Sequence, residues 1–297
     1  MPLRLAHFSD IHLTATPLRL AARDWFGKRA SGWFNTRMGR GKHFRDASKV
    51  AGLMADDLRA RAYDHIIFSG DATTLGLYAE FEEVERVLHP DHGWPPALAV
   101  PGNHDYYTRR AAKSREFERV FAPWQHGERI GEHTYPFAQK AGPLWLVGVN
   151  SSDANILHWD SRGRVGVPQL ERLRELLARL PAGPRVLVTH YPLILDSGRP
   201  ETRWRKLRDV VDLKNLAVEG GVKLWLHGHR HKAYFHPADE TLPFPVVCVG
   251  SATQTGRWSF NEYTFAEGVM SARRRAWDPV REKFVDGDEF QMPLSIE

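Results

Sequence analysis

Seven side chains able to ligate a metal fall in five short blocks, and each block stands at or just beyond the end of an apolar run. The blocks are Asp10-Ile11-His12, Gly70-Asp71, Gly102-Asn103-His104-Asp105, His190, and Gly228-His229-Arg230-His231. Apolar runs at 3–8, 66–68, 185–188 and 224–226 directly precede four of them, and Asn103 comes shortly after a fifth run at 98–100. Such runs read as buried strands. Parallel α/β sheets gather their functional groups where strands end, so carboxylate, amide and imidazole are expected to arrive together.

Spacing and donor type sharpen this. Side chains on an extended segment alternate faces, so Asp10 and His12 should point one way, His229 and His231 likewise, with Arg230 turned away. Gly70, Gly102 and Gly228 supply tight turns and close backbone approach. The donors are oxygen from Asp10, Asp71 and Asn103 and nitrogen from His12, His190, His229 and His231, with no thiolate. That set suits Mn, Fe or Zn at a catalytic site better than a structural zinc site, which would use cysteines. Seven side chains exceed one tetrahedral ion but match two ions about 3.5–4 Å apart that share a carboxylate.

In this order the blocks resemble the calcineurin-like metallophosphoesterase superfamily, over residues 3 to about 265, and within it the bacterial class III cyclic nucleotide phosphodiesterases. The resemblance implies that Asp10, His12 and His231 hold one ion, that Asn103, His190 and His229 hold the other, and that Asp71 bridges. The cofactor would then be a pair of divalent or mixed-valence ions (Mn, Fe or Zn). It also implies a four-layer α/β/β/α sandwich of two mixed sheets with the metal site at strand carboxyl ends. One position departs from the family pattern: a second Asp usually follows Gly-Asp by three residues and orients the histidine after the Asn, but here that residue is Thr74. The matching histidine is His104, and Asp105 or a backbone carbonyl is left as its partner.

The rest of the chain alternates in the same sense. Helices are expected at 47–62 (Val50, Leu53, Met54, Leu58 on one face), 78–88, 114–121, 167–180 (Pro168 in the first turn, a leucine stripe behind it) and 207–218. Strand-like segments at 135–138 and 144–149 would begin a second sheet, and strands at 246–249, 263–265 and 269–272 read as antiparallel additions. Two blocks of strands flanked by helices agree with the layered sandwich. The expectation is one domain over 1–297 with a strand-rich extension from about 266. His227 reads as a strand-end histidine and His7 as a core residue. His43, His65, His89, His92, His126, His133, His158 and His236 have no partner motif.

Charge matters by location. Residues 14–46 carry eight Lys and Arg against two acids, or +6, whereas the whole chain is +5, which leaves −1 for the remainder. This basic insertion, 14–45, also holds Trp25, Phe26, Trp33, Phe34 and Phe44. Leu18, Ala22, Trp25, Phe26 and Trp33 can share one broad helical face, weakened by Gly27 and Ser31-Gly32. Three readings stand: a cap on its own domain, a substrate lid or membrane-surface element, and an oligomer contact. Mixed basic and aromatic residues suit contact with an anionic membrane; charge alone admits nucleic acid, but no stacking motif supports it. The oligomeric state stays open. The single cysteine, Cys248, sits in an apolar run and excludes an intramolecular disulfide, in keeping with a reducing cytoplasm. No secretion signal and no run of about 18 apolar residues is seen, so a cytoplasmic protein, with peripheral contact to the inner membrane face through 14–45, is expected.

The expected activity is hydrolysis of a small phosphate ester, a phosphodiester of nucleotide type by resemblance, through attack of a hydroxide held between the ions. Asp71 and His104 are the catalytic candidates, His104 binding phosphate or protonating the leaving oxygen. Two rivals remain: a membrane-surface pyrophosphatase acting on a nucleotide-linked lipid such as a lipid A precursor, and a scaffold that keeps the fold without catalysis.

Overall fold

An apolar run buried on both sides needs covering layers above and below it, and the chain supplies them in sequence. The structure, a computed structural model, describes residues 2–294. From β1 (Leu3–Phe8) the chain passes α1 (Lys28–Met38) and α2 (Ala47–Ala60) to β2 (His65–Phe68), then α3 (Tyr78–Leu88) to β3 (Ala97–Ala99). After α4 (Arg109–Ser114) and α5 (Glu116–Val120) it crosses to a second sheet with β4 (Glu128–Arg129), β5 (Phe137–Ala141) and β6 (Leu144–Gly148). There α6 (Val167–Arg179), β7 (Arg185–Val188), α7 (Val210–Glu219), β8 (Val222–His227), β9 (Tyr234–His236) and β10 (Val246–Cys248) follow. The chain returns to the first sheet for β11 (Ser259–Ala266), β12 (Val269–Asp278) and β13 (Lys283–Pro293).

The sheet orders are β13-β12-β11-β1-β2-β3 and β4-β5-β6-β7-β8-β10-β9. Both are mixed: β1, β2 and β3 run parallel, as do β6, β7, β8 and β10, while the flanking strands pair antiparallel. Strand alternation sorts the side chains into three apolar layers. Phe8, Ile66 and Phe68 face Val50, Met54 and Phe81 of the α2 and α3 helices. Leu5, Ile67 and Leu98 face Leu146, Val188 and Leu226 across the gap between the sheets. Val147, Leu187 and Trp225 face Leu173, Leu176 and Leu213 of α6 and α7. The result is the α/β/β/α sandwich that the resemblance implies.

Several local expectations change. The helix expected at 114–121 is two short ones, broken at Arg115, whose φ of 55° lies in the left-handed region. Of the three strands expected as antiparallel additions, the one at 246–248 instead joins the second sheet, parallel to β8 and antiparallel to β9, while β11 and β12 pair antiparallel in the first sheet. The long β13 had no apolar signature, because Asp286, Asp288 and Glu289 pair with Arg273, Arg274 and Arg275 of β12.

The insertion is not one helical face. A 3₁₀ turn, Ala22–Phe26, ends at Gly27 before α1 starts. Leu18, Leu20 and Trp33 pack on Leu75, Leu77 and Tyr107, whereas Phe26 is almost wholly exposed.

Candidate metal centre

The five blocks all meet at the carboxyl ends of β1, β2, β3, β7 and β8. One group has His12 Nε2 3.0 Å from His231 Nε2, with Asp10 Oδ1 3.1 Å from the latter and 3.7 Å from the former. A second has Asn103 Oδ1 3.2 Å from His190 Nε2 and 2.9 Å from His229 Nδ1, the two imidazole nitrogens being 3.3 Å apart. Asp71 joins them, its Oδ2 lying 3.6 Å from His12 Nε2 and 3.4 Å from His190 Nε2. Its other oxygen accepts the His104 backbone N–H at 2.7 Å.

These contacts fit cations better than hydrogen bonds. His12 Nδ1 faces Thr73 O, His190 Nδ1 faces Ser69 O and His231 Nδ1 faces Gln254 Oε1, so each Nδ1 carries the ring proton and each Nε2 turns a lone pair inward. Two inward lone pairs 3.0 Å apart, on His12 and His231, repel unless a positive charge stands between them. The buried Asp10 Oδ1 accepts no hydrogen bond. Donor separations of this size are those across the edges of a coordination shell with ligand distances of about 2.0–2.2 Å. His229 would bind through Nδ1 and the other three histidines through Nε2. Such outer partners fix tautomer and orientation in metal sites generally.

The electrostatics agree. Burial pushes the Asp10 carboxyl up, but His231, with His12 and His190, outweighs it and holds the group well below the usual carboxylate range. Burial likewise opposes ionisation of Asp71, and His190 and His104 more than offset it. Burial works against protonating His190, yet the Asp71 carboxylate lifts it to about 9. A field that draws a proton onto a buried imidazole also draws a cation.

The backbone differs from the extended alternation expected of these blocks. Asp10, His12, Asp71, His229 and His231 all have positive φ, between 43° and 70°, and are five of the nine described non-glycine residues that do. Such conformations cost energy and persist where surroundings over-determine them, characteristically at functional sites. Here Asp10 N donates to Gly70 O and His12 N to Asp71 O, while His229 N donates to Asp10 Oδ2. Close approach also explains two glycines: a Cβ on Gly102 would overlap the Asp71 carboxylate, and one on Gly228 would overlap Ser9 and Asp10.

His104 stands beside this donor set without joining it. Its ring centroid is 4.8 Å from that of His12, and its Nδ1 lies 2.6 Å from the Thr74 carbonyl oxygen. The backbone carbonyl thus takes the place considered for Asp105. Asp105 instead clamps the loops together, accepting from Gly102 N, Asp71 N and Thr73 N.

Other histidines stay outside. His227 bonds Gly228 O and Tyr234 Oη, and His7 bonds Ser69 Oγ. Arg230 turns to Glu201 at 2.7 Å. Sequence reading missed Gln254 behind His231, Tyr191 stacked on His229 at 4.3 Å, and Phe44, whose ring lies 4.8 Å from His12. No local spacing links these residues to the ligand blocks; only Tyr191, next to His190, had a positional hint.

The fold is similar to that of a dimetal phosphatase from Danio rerio, at 12% identity and a TM-score of 0.66, covering 99% of this chain and 100% of that one. It is also similar to purple acid phosphatase PPD1 from yellow lupin, Lupinus luteus, at 13% identity and a TM-score of 0.59 over 99% of this chain and 54% of that one. GAP50, the anchor in the inner membrane complex of Plasmodium, gives 11% identity and a TM-score of 0.55, over 99% and 89%. At these identities the likeness shows the fold alone. No curated protein matches the chain in sequence. A family model for calcineurin-like phosphoesterases matches residues 3–233, a span that takes in all five ligand blocks. On that match, and on the two sheets that carry the blocks, the chain belongs to the calcineurin-like phosphoesterase family.

Proposed function

We propose that the chain is a metal-dependent phosphodiesterase acting on nucleotide-type phosphodiesters, with Asp10, His12, His231 and Asp71 holding one ion and Asn103, His190, His229 and Asp71 the other. Ions held there supply, when bound, an activated water and positive charge against the phosphoryl oxygens. The observation that carries the reading is the place of His104, beside the His12 ring and fixed by the Thr74 carbonyl. With its Nδ1–H given to a carbonyl, the ring acts as an acid only as the imidazolium, whose Nε2–H would go to the sugar or nucleoside alkoxide leaving from phosphorus. Asp71 has two tasks, one oxygen turned to the histidines of both groups and the other holding the His104 backbone.

A second substituent on the phosphate needs room. A cleft of about 650 Å³ lies along α4 and the loop at 153–164, lined by Arg109, Lys113 and Arg164 with Ile156 and Leu157, and by Asp153 and Asp160, whose charges pair with Arg208 and Arg162. That loop follows Ser151, whose Oγ accepts from His190 N and Tyr191 N, so the cleft wall is tied to the candidate centre. Cations beside apolar side chains suit a phosphate ester carrying a nucleoside.

The test is turnover by metal-loaded protein of a cyclic nucleotide, bis(4-nitrophenyl) phosphate and 4-nitrophenyl phosphate. The diesters, cyclic nucleotide included, should be cleaved faster than the monoester. Preference for the monoester overturns the diesterase assignment, and no turnover by fully metallated protein favours the scaffold.

A further inference from the structure

Helix α1 is oriented against the ordinary rule for a surface helix. It turns Arg29 and Gly32 inward and Phe34 and Met38 outward. Arg29 is buried, with Nε on Leu75 O, Nη2 on Gly76 O and Nη1 on Asp24. Gly32 lies so close to Tyr107 and Leu75 that a Cβ there would overlap both. The docking is therefore specific, and it fixes the outer face. On that face Phe34 is 56% exposed and Met38 66%, and Phe26, in the 3₁₀ turn just before Gly27, is 95% exposed. Solitary exposed apolar residues are ordinary, but several on one ordered element mark a contact surface.

Charge identifies the occupant. Arg19, Arg23, Arg37 and Lys42 are exposed on the same insertion, while Asp24, the one acid within 14–45, is paired with Arg29. Residues 14–46 carry +6 in a chain that is otherwise −1. We propose that this face docks on an anionic phospholipid bilayer, with Phe26, Phe34 and Met38 entering the interface and the flanking cations meeting lipid phosphates. No described helix is long and apolar enough to cross a membrane, so the contact is peripheral. The insertion leaves from His12 and returns with Phe44 against the His12 and His231 rings. Docking would thus set the candidate centre at the lipid surface. The binding claim stands apart from the substrate proposed above.

The test is co-sedimentation of the metal-loaded full chain with vesicles of phosphatidylcholine alone and of phosphatidylcholine with phosphatidylglycerol, alongside sedimentation velocity without lipid. The wild type should pellet with the anionic vesicles and much less with the neutral ones. Phe26→Ser combined with Phe34→Ser should weaken that binding by roughly tenfold or more, as expected for two aromatic side chains kept in water. Metal content and hydrolysis of bis(4-nitrophenyl) phosphate in solution should not change. Failure to pellet, or pelleting that the double substitution leaves intact, overturns the proposal. So does a lipid-free dimer that the same substitution converts to monomer, since the occupant would then be a second copy.

Discussion

His104 Nδ1 lies 2.6 Å from the carbonyl oxygen of Thr74, while the Thr74 hydroxyl points elsewhere, to His12 O at 3.0 Å and Thr14 Oγ1 at 2.8 Å. The ring is thus oriented by backbone, and the side chain at 74 is spare for that purpose. Thr74→Val should cost about 1–2 kcal/mol of stability for the two lost hydrogen bonds and leave turnover within a few-fold. His104→Ala should lower turnover of alkyl diesters by about 10² to 10⁴, the range for loss of a general acid, with metal content unchanged. Steady-state kinetics over a leaving-group series checks both. Equal losses for nitrophenolate and alkoxide leaving groups would remove the acid role and leave phosphate binding.

Asp105 supports the site from behind. It is buried, and its two oxygens hold the backbone N–H groups of Gly102, Asp71 and Thr73. Asp105→Ala strands three buried donors and should destabilise the fold by about 3 kcal/mol or more. Metal affinity should fall by roughly 10- to 100-fold, as for other supporting partners of ligands. Asp105→Asn, which keeps one acceptor, should fall between the two. Denaturant unfolding and metal titration read these effects, and an alanine variant with unaltered metal affinity would contradict the clamp.

The ligand blocks were legible because each is a local pattern at the end of an apolar run, as with Asp10 and His12 after β1. Their backbone was not. Positive φ at His12 is imposed by a hydrogen bond to Asp71 O, a partner nearly sixty positions away. Gln254 escaped for the same reason, since only the fold sets it behind His231. The layers followed from apolar alternation, yet β13 has charges where a buried strand would have apolar residues. In the insertion, aromatic spacing suggested one face, but Gly27 divides it and the buried arginine, not the aromatics alone, fixes the docking.

Glu80, which is not among the candidate metal ligands, gives a pH dependence of stability. Its Oε2 accepts from Leu75 N and Leu77 N, whereas its buried Oε1 has no partner. Burial, partly offset by those two donors and by Arg29, lifts its carboxyl from 4.5 to about 7. Between these values the folded state keeps a proton that the unfolded chain has lost. The stabilisation is therefore complete below pH 4.5 and is lost as pH rises through 7. Its size is about 3 kcal/mol. Glu80→Gln keeps the carbonyl acceptor and should flatten unfolding free energy across that window. A slope that the glutamine leaves unchanged would contradict this origin.

Elemental analysis of metallated protein, which reads the number of ions held, decides whether Asp71 bridges two of them. Asp71 Oδ2 faces the histidines of both groups, whereas Asn103 belongs to one. The wild type should approach two equivalents. Asp71→Asn should lower occupancy of both sites, because an amide offers one good donor oxygen and no charge, and Asn103→Ala should retain about one equivalent of the two. A wild type that saturates at one equivalent, or an Asp71→Asn protein that keeps two with unchanged affinity, would show that Asp71 does not bridge two ions.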